Sequence, residues 1–184
     1  MNLIDLDVPI LCETTPFINY DAGLKLWDKA SRKKSVIQIA EQYPYHPVCQ
    51  TWKKIIDDGI IGNVSNMSIS MVHSYHAASL IRFFLGTGFQ NIKISGKRFF
   101  FPVQASDSRK GVILNGEVKP EKRDLVTFEF EDGKVAFFDW GNIQYYSFIR
   151  SKRINIQGDR GEIDGLNVHY LNEDTYSIRW YCRT

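Results

Sequence analysis

Apolar positions along this chain follow two different spacings, and the handover between them is sharpest in Met71–Gly86, MVHSYHAASLIRFFLG. A β-type run from Val64 to His73 leads directly into a helix that begins with an imidazole, His76, and carries Ser79 and Phe83 on the same face at helical spacing. A histidine where a strand hands over to a helix is well placed to line a pocket, because its ring projects at the open end of the element. The competing reading is a packed, hydrogen-bonded histidine with no further role.

The same patterns organise the rest. Val8 to Cys12 reads as a short buried strand ended by Pro16, and Asn19 or Asp21 can cap a helix running to about Lys33. Leu24, Trp27 and Ala30 or Ser31 form its expected inner face. Val36 to Ala40 is a second apolar strand, followed by the turn-rich EQYPYHP. Pro47 suits a first helical position, and Val48, Trp52, Ile55 and Ile56 make an amphipathic stripe that stops at Gly59. The strand–helix–strand–helix order predicts α/β organisation in this first third.

After Gly86 the texture becomes all-β. Ile92–Phe101, Leu125–Phe130, Val135–Trp140, Ile143–Ile149 and Arg153–Gln157 have strand composition, and Glu131-Asp132-Gly133 reads as a hairpin turn. Gly158 to Glu162 reads as a turn joining two strands. Gln104 to Lys122 is polar and is expected to be a loop or insertion over the sheet. The fold expected is therefore α+β (α/β): a large, mainly antiparallel open sheet with helices on one face, preceded by a remnant of a Rossmann domain. The first strand looks orphaned, which suggests a truncated chain.

Composition adds bounds. The 184 residues suffice for one well-cored domain, or a domain plus a remnant of another. Aromatic residues make up 14% and favour a sheet-rich body, while a net charge of +2 gives no reason to expect nucleic acid or a membrane surface as partner. Cys12, Cys49 and Cys182 are odd in number and widely spaced, which fits a reducing cytoplasm. The N-terminus lacks the basic start of a signal peptide, and no apolar run is long enough for a membrane helix.

Of the four histidines, His46, His73 and His76 could in principle face one metal, but no HExxH or carboxylate pattern supports a metal site and none is expected. No GxSxG elbow marks a nucleophile. Cys49 lies near a helix start, where its thiol pKa could be lowered, although a small core hydrophobe explains it as well. Neither Gly86-Thr87-Gly88 nor Gly158-Asp159-Arg160-Gly161 completes a phosphate loop. Glu41, Tyr43, Tyr45 and His46 cluster past a strand's carboxyl end, where open α/β sheets place ligands, and could present polar groups to a polyol; aromatic packing around a proline turn is the alternative.

Four segments in order, ILCETTP, IAEQYPYHPVCQTWKKIIDDGIIGNV, HAASLIRFFLG and INIQGDRGEIDGLNVHYL, resemble the glucose–fructose oxidoreductase/inositol dehydrogenase (Gfo/Idh/MocA) family. That resemblance implies an NAD(P)-binding Rossmann domain followed by an α/β domain whose open sheet mediates oligomerisation, and hydride transfer to or from a sugar or polyol. It divides this chain into a Rossmann remnant at 1–34 and a substrate-binding and oligomerisation domain at 35–184, with the nucleotide loop upstream and no cofactor expected on the fragment itself. Where the family usually carries Glu-Lys-Pro, this chain has Glu13-Thr14-Thr15-Pro16; where it usually carries His-x-x-Asp, it has His76-Ala77-Ala78-Ser79. Neither Thr nor Ser is a general base near neutral pH without activation. The resemblance leaves His76 as the acid–base residue, Glu13 and Thr14 beside the nicotinamide, and Tyr43, His46, His73 and Ser79 on the substrate side. A homo-oligomer is expected. The alternatives are a ligand sensor or scaffold with the same fold, and a stand-alone β-rich interaction domain.

Overall fold

The computed structural model describes residues 3–182, in two compact units, Met1–Tyr43 and Pro44–Thr184. In the first, β1 (Ile10–Cys12), α1 (Tyr20–Lys33) and β2 (Ile37–Ile39) form a β–α–β unit, with Ile10 opposite Ile37 and Cys12 opposite Ile39 in a parallel pair. The first strand is therefore not orphaned. Its pairing with β2 also carries the boundary past the expected 34/35 to Tyr43/Pro44. Asn19 caps α1, its side chain accepting the Ala22 N–H at 2.9 Å, and Lys34 ends it in the left-handed region. The expected inner face of α1 is not buried within this unit: Leu24 is 48% and Trp27 74% exposed. Two short strands offer a helix too little apolar surface to cover it.

The second unit contains α2 (Pro47–Asp57), β3 (Val64–Ser70), α3 (Ser74–Leu85), β4 (Ile92–Gln104), β5 (Val118–Phe130), β6 (Val135–Gly141), β7 (Arg153–Gly158), β8 (Gly161–Asp164), β9 (Asn167–Leu171) and β10 (Ser177–Tyr181). The strands form one eight-stranded sheet in the order β10-β9-β8-β7-β3-β6-β5-β4, antiparallel except where β3 runs parallel to β6. This is the large, mainly antiparallel sheet of an α+β fold.

The strands alternate as a sheet with one covered face should. Met67, Ile69, Ala136, Phe138, Ile154, Ile156, Ile163 and Val168 are buried on one face, with Trp52 and Ile55 of α2 and Ala77, Leu80, Ile81 and Phe84 of α3. Trp52 meets Phe84 edge-on at 6.0 Å between ring centroids and donates its indole N–H to the Gly165 carbonyl at 2.8 Å, tying α2 to the β8–β9 turn. Cys49 belongs to this core. Burial pushes its thiol up to about 11, so the helix start does not activate it.

Both expected turns form. Gly133 (φ 84°) supplies the left-handed residue of the β5–β6 hairpin, and Asp159-Arg160 joins β7 to β8. Two expectations fail. Ile143–Ile149 is not a strand but carries a 3-10 turn at Gln144–Tyr146, because the Gln144 amide donates to the carbonyls of Ser70 (2.6 Å) and Ser151 (2.9 Å) and draws the backbone out of the ladder. The expected loop Gln104–Lys122 is strand at both ends: β4 and β5 pair from Ile92–Phe130 to Gln104–Val118, a ladder long enough to hold Lys119–Lys122 despite their polarity. Among the described residues no helix is long and apolar enough to cross a membrane.

Candidate active site at the β3–α3 junction

Gly86, left-handed at φ 65°, closes α3 at its far end, and His73 opens it as the N-cap, with its carbonyl accepting from His76 and Ala77 N–H groups at 3.1 and 3.3 Å. The next residue, Ser74, is held at φ 28°, a left-handed conformation that serine adopts at a cost of about 1–3 kcal/mol. This tight entry brings His73 and His76 together, their rings 4.9 Å apart between centroids and inclined at 72°. Tyr75 closes the group, 4.3 Å from the His76 ring and 4.9 Å from that of His73. His76 is buried at 7% exposure, while Tyr75 is 37% exposed.

The 3-10 turn after β6 supplies further contacts to this group. Tyr145 Oη lies 3.0 Å from His73 Nδ1 and accepts the His73 backbone N–H at 3.3 Å. Trp140, at the end of β6, packs against the Tyr145 ring at 4.7 Å and stands 6.2 Å from the His73 ring. The Lys152 ammonium lies 5.8 Å from the Tyr145 ring centroid. Arg109 Nε donates to Tyr146 Oη at 3.1 Å, so the 105–117 loop is anchored to this same turn. Imidazole and phenol side chains gathered in this way are groups that can bind hydroxyl or carbonyl oxygens and exchange protons.

Of the residues picked from sequence, the structure brings His73 and His76 together. Ser79 is half-buried one turn further along α3. His46 is exposed at a different element start, the N-cap of α2, without a side-chain capping bond. Glu13, Thr14 and Tyr43 lie in the first unit: Glu13 accepts from the Thr14 N–H (2.9 Å) and hydroxyl (3.1 Å), and Glu41 accepts the Tyr43 N–H at 3.3 Å. Sequence reasoning missed Trp140, Gln144 and Tyr145. The break at Gly141-Asn142 before a Tyr-Tyr pair was the available signal, hidden by the strand-like composition around it. Among the described residues no group of His, Cys, Asp or Glu is gathered for a metal ion.

A dinucleotide's phosphates find no cradle in the described β1–α1 connection. The first turn of α1 is capped by Asn19's own side chain, and no glycine precedes it.

No family model matches the sequence, and no curated protein does. Solved structures do match over nearly the whole chain. An NAD-binding oxidoreductase from Klebsiella pneumoniae superposes with a TM-score of 0.66 at 14% identity over 97% of this chain and 56% of its own. A candidate myo-inositol dehydrogenase from Sinorhizobium meliloti gives 0.62 at 16% identity over 98% and 58%. An oxidoreductase from Agrobacterium radiobacter, crystallised with NAD+, L-tartaric acid and magnesium, gives 0.64 at 12% identity over 97% and 55%. This chain spans a little over half the length of these structures, and over that span it shares their fold.

Proposed function

We propose that the chain is the substrate-side part of a Gfo/Idh/MocA-type oxidoreductase, which moves a hydride between NAD or NADP and a sugar or polyol. The observation that carries this reading is the His73–His76 pair at the β3–α3 junction, with Tyr145 on His73 Nδ1. His76 is the acid–base residue, since imidazole exchanges protons near neutral pH. His73, Ser79, Tyr43 and His46 are assigned to the substrate side, and Glu13 and Thr14 to the nicotinamide side. Free cysteines suit a reducing cytoplasm.

The same reading makes the protein a homo-oligomer through the uncovered sheet face. In register, Leu125 lies opposite Asp139, and Phe101 opposite Glu121, on the side away from the core. Phe137 (47% exposed), Leu125 (42%) and Phe101 (45%) leave apolar surface on that face.

The test is nicotinamide absorbance change with a panel of sugars and polyols, using the full-length protein and its His76→Ala variant. Loss of turnover in the variant supports the assignment, and turnover unaffected by the substitution refutes His76. Nucleotide binding without turnover on any substrate favours a ligand sensor. Sedimentation of Phe137→Glu reports on the oligomer: an unchanged mass refutes the sheet-face interface.

A further inference from the structure

Away from the histidine cluster, a cavity of about 330 Å3 opens over β7, β8 and β9, with Gln157, Arg160, Glu162, His169 and Ser177 in its lining. Register puts Gln157, Glu162 and His169 in one row across the sheet. They alternate with the buried Ile156, Ile163 and Val168, so the row lies on the face away from α2 and α3. Arg179 of β10 stands opposite His169 in the same row. β7 and β3 separate β8 from β6, which carries the exposed Phe137, so the cavity belongs to the polar half of that face.

The acid and the base at this cavity are served unequally. Glu162 Oε2 accepts the amides of Asn155 at 3.1 Å and Gln157 at 3.2 Å, while Oε1 has only His169 Nδ1, at 3.5 Å. A carboxylate accepts about four hydrogen bonds, so Oε1 has room for a further donor. Arg160, in the β7–β8 turn, is held to β9 by its main chain and its side chain. Its carbonyl accepts the Leu171 N–H at 2.8 Å, and its Nη2 donates to the Leu171 carbonyl at 3.1 Å. The neighbouring carboxylate, Asp159, is taken by the Asn63 backbone N–H and side-chain amide, both at 2.9 Å. Among the described residues no carboxylate lies within ion-pair distance of Arg160. A guanidinium has five donors, and this one spends one of them on Leu171, which leaves a fixed positive charge at the cavity without a counter-charge.

We propose that this cavity is a binding site for a small hydroxycarboxylate, with the carboxylate on Arg160 and a hydroxyl between Glu162 and His169. Each half follows from the groups present. A guanidinium fork matches the two oxygens of a carboxylate and supplies the missing charge balance. A hydroxyl can donate to Glu162 Oε1, which a keto or ether oxygen cannot. A phosphate dianion suits the cavity less, because it brings a second negative charge beside Glu162. A neutral polyol leaves Arg160 unmatched. The site is distinct from the His73–His76 junction and does not depend on hydride transfer there.

The test is titration of the whole 15N-labelled chain with glycerate, glycerol and inorganic phosphate, followed by amide shifts. Glycerate should move the amides of Arg160, Gly161, His169 and Ser177 and saturate in the millimolar range or below. Glycerol should not saturate, and phosphate should bind more weakly than glycerate. Arg160→Gln should raise the glycerate Kd about tenfold or more, the worth of a hydrogen bond to a charged group. Arg160→Lys, which keeps the charge and loses the fork, should fall between the two. The dispersion of the same spectra shows that each variant is folded. No saturable glycerate shift at these residues, or an unchanged Kd in Arg160→Gln, overturns the site. Glycerol binding as well as glycerate, or phosphate binding more tightly, overturns the assignment of a hydroxycarboxylate. Nicotinamide turnover enters none of these readouts, so the site and the oxidoreductase reading fail separately.

Discussion

Glu121→Gln tests how the ion-pair network on the sheet face away from α2 and α3 is held together. Glu121, on β5, is 1% exposed, and its carboxylate takes Arg150 across both oxygens, Nε to Oε1 at 3.2 Å and Nη2 to Oε2 at 3.1 Å, with Arg123 Nη1 at 3.5 Å. Arg123 continues to Asp139 at 2.5 Å, and Arg153 joins the same Asp139 oxygen at 3.2 Å. Gly141 makes room for the carboxylate, since a Cβ there would collide with Glu121 Oε1. Removing one partner of a buried pair costs about 3–5 kcal/mol, because the remaining charge keeps its desolvation without its counter-charge. Here Arg150 is 30% exposed and regains water, and Arg123 keeps Asp139, which lowers the expectation to about 2–3 kcal/mol. The assay is urea unfolding followed by tryptophan fluorescence, with Arg150→Met and the double variant completing a cycle. Arg98→Met, which breaks an exposed pair with Asp124, is the control and should cost under about 1 kcal/mol. A loss below about 0.5 kcal/mol in Glu121→Gln, or no coupling in the cycle, refutes the reasoning.

Three other outcomes follow from local geometry. Gly158→Ala should destabilise by about 2–3 kcal/mol in the same unfolding assay, because its Cβ would strike the backbone carbonyl of Ile61, which has no rotamer with which to yield. The Glu162 carboxyl is held below its usual 4.5, first by the Asn155 amide and then by Gln157 and His169, so its stabilisation is complete above 4.5 and lost as pH falls through the lowered value. Stability of Glu162→Gln against the unmodified protein should therefore differ at pH 6 and converge at the acid end; a gap unchanged down to about pH 2 would sink this. Cys49 should resist alkylation at pH 8 until the chain unfolds, checked by mass spectrometry of peptides labelled before and after urea.

Local chemistry made much of the fold legible. Asn19 and Pro47 marked helix starts, Gly133 a hairpin and Gly59 a helix end, because each satisfies a backbone requirement within a few residues of itself. Where long-range partners decide, sequence reading failed. Ile143–Ile149 has β-type composition, yet the Gln144 amide finds its partners at Ser70 and Ser151. Lys119–Lys122 has loop composition, yet it lies in a strand because Val103, Phe101 and their neighbours on β4 offer a ladder to pair with.

The site divides in the same way. His76 was readable as a residue at a strand–helix handover, since periodicity changes there within one stretch of chain. Its companions were only half readable: His73 is three residues away, while Tyr145 and Trp140 arrive from β6 and the turn beyond it, brought in by the parallel pairing of β3 with β6. By itself the sequence determined the helix starts, the β5–β6 hairpin and the imidazole at the head of α3, all of which depend on neighbours within a few residues. Only the tertiary structure decided that a phenol from some seventy residues downstream lies 3.0 Å from the ring of that imidazole's partner, because hydrogen bonds between strands depend on sheet order, which local periodicity does not encode.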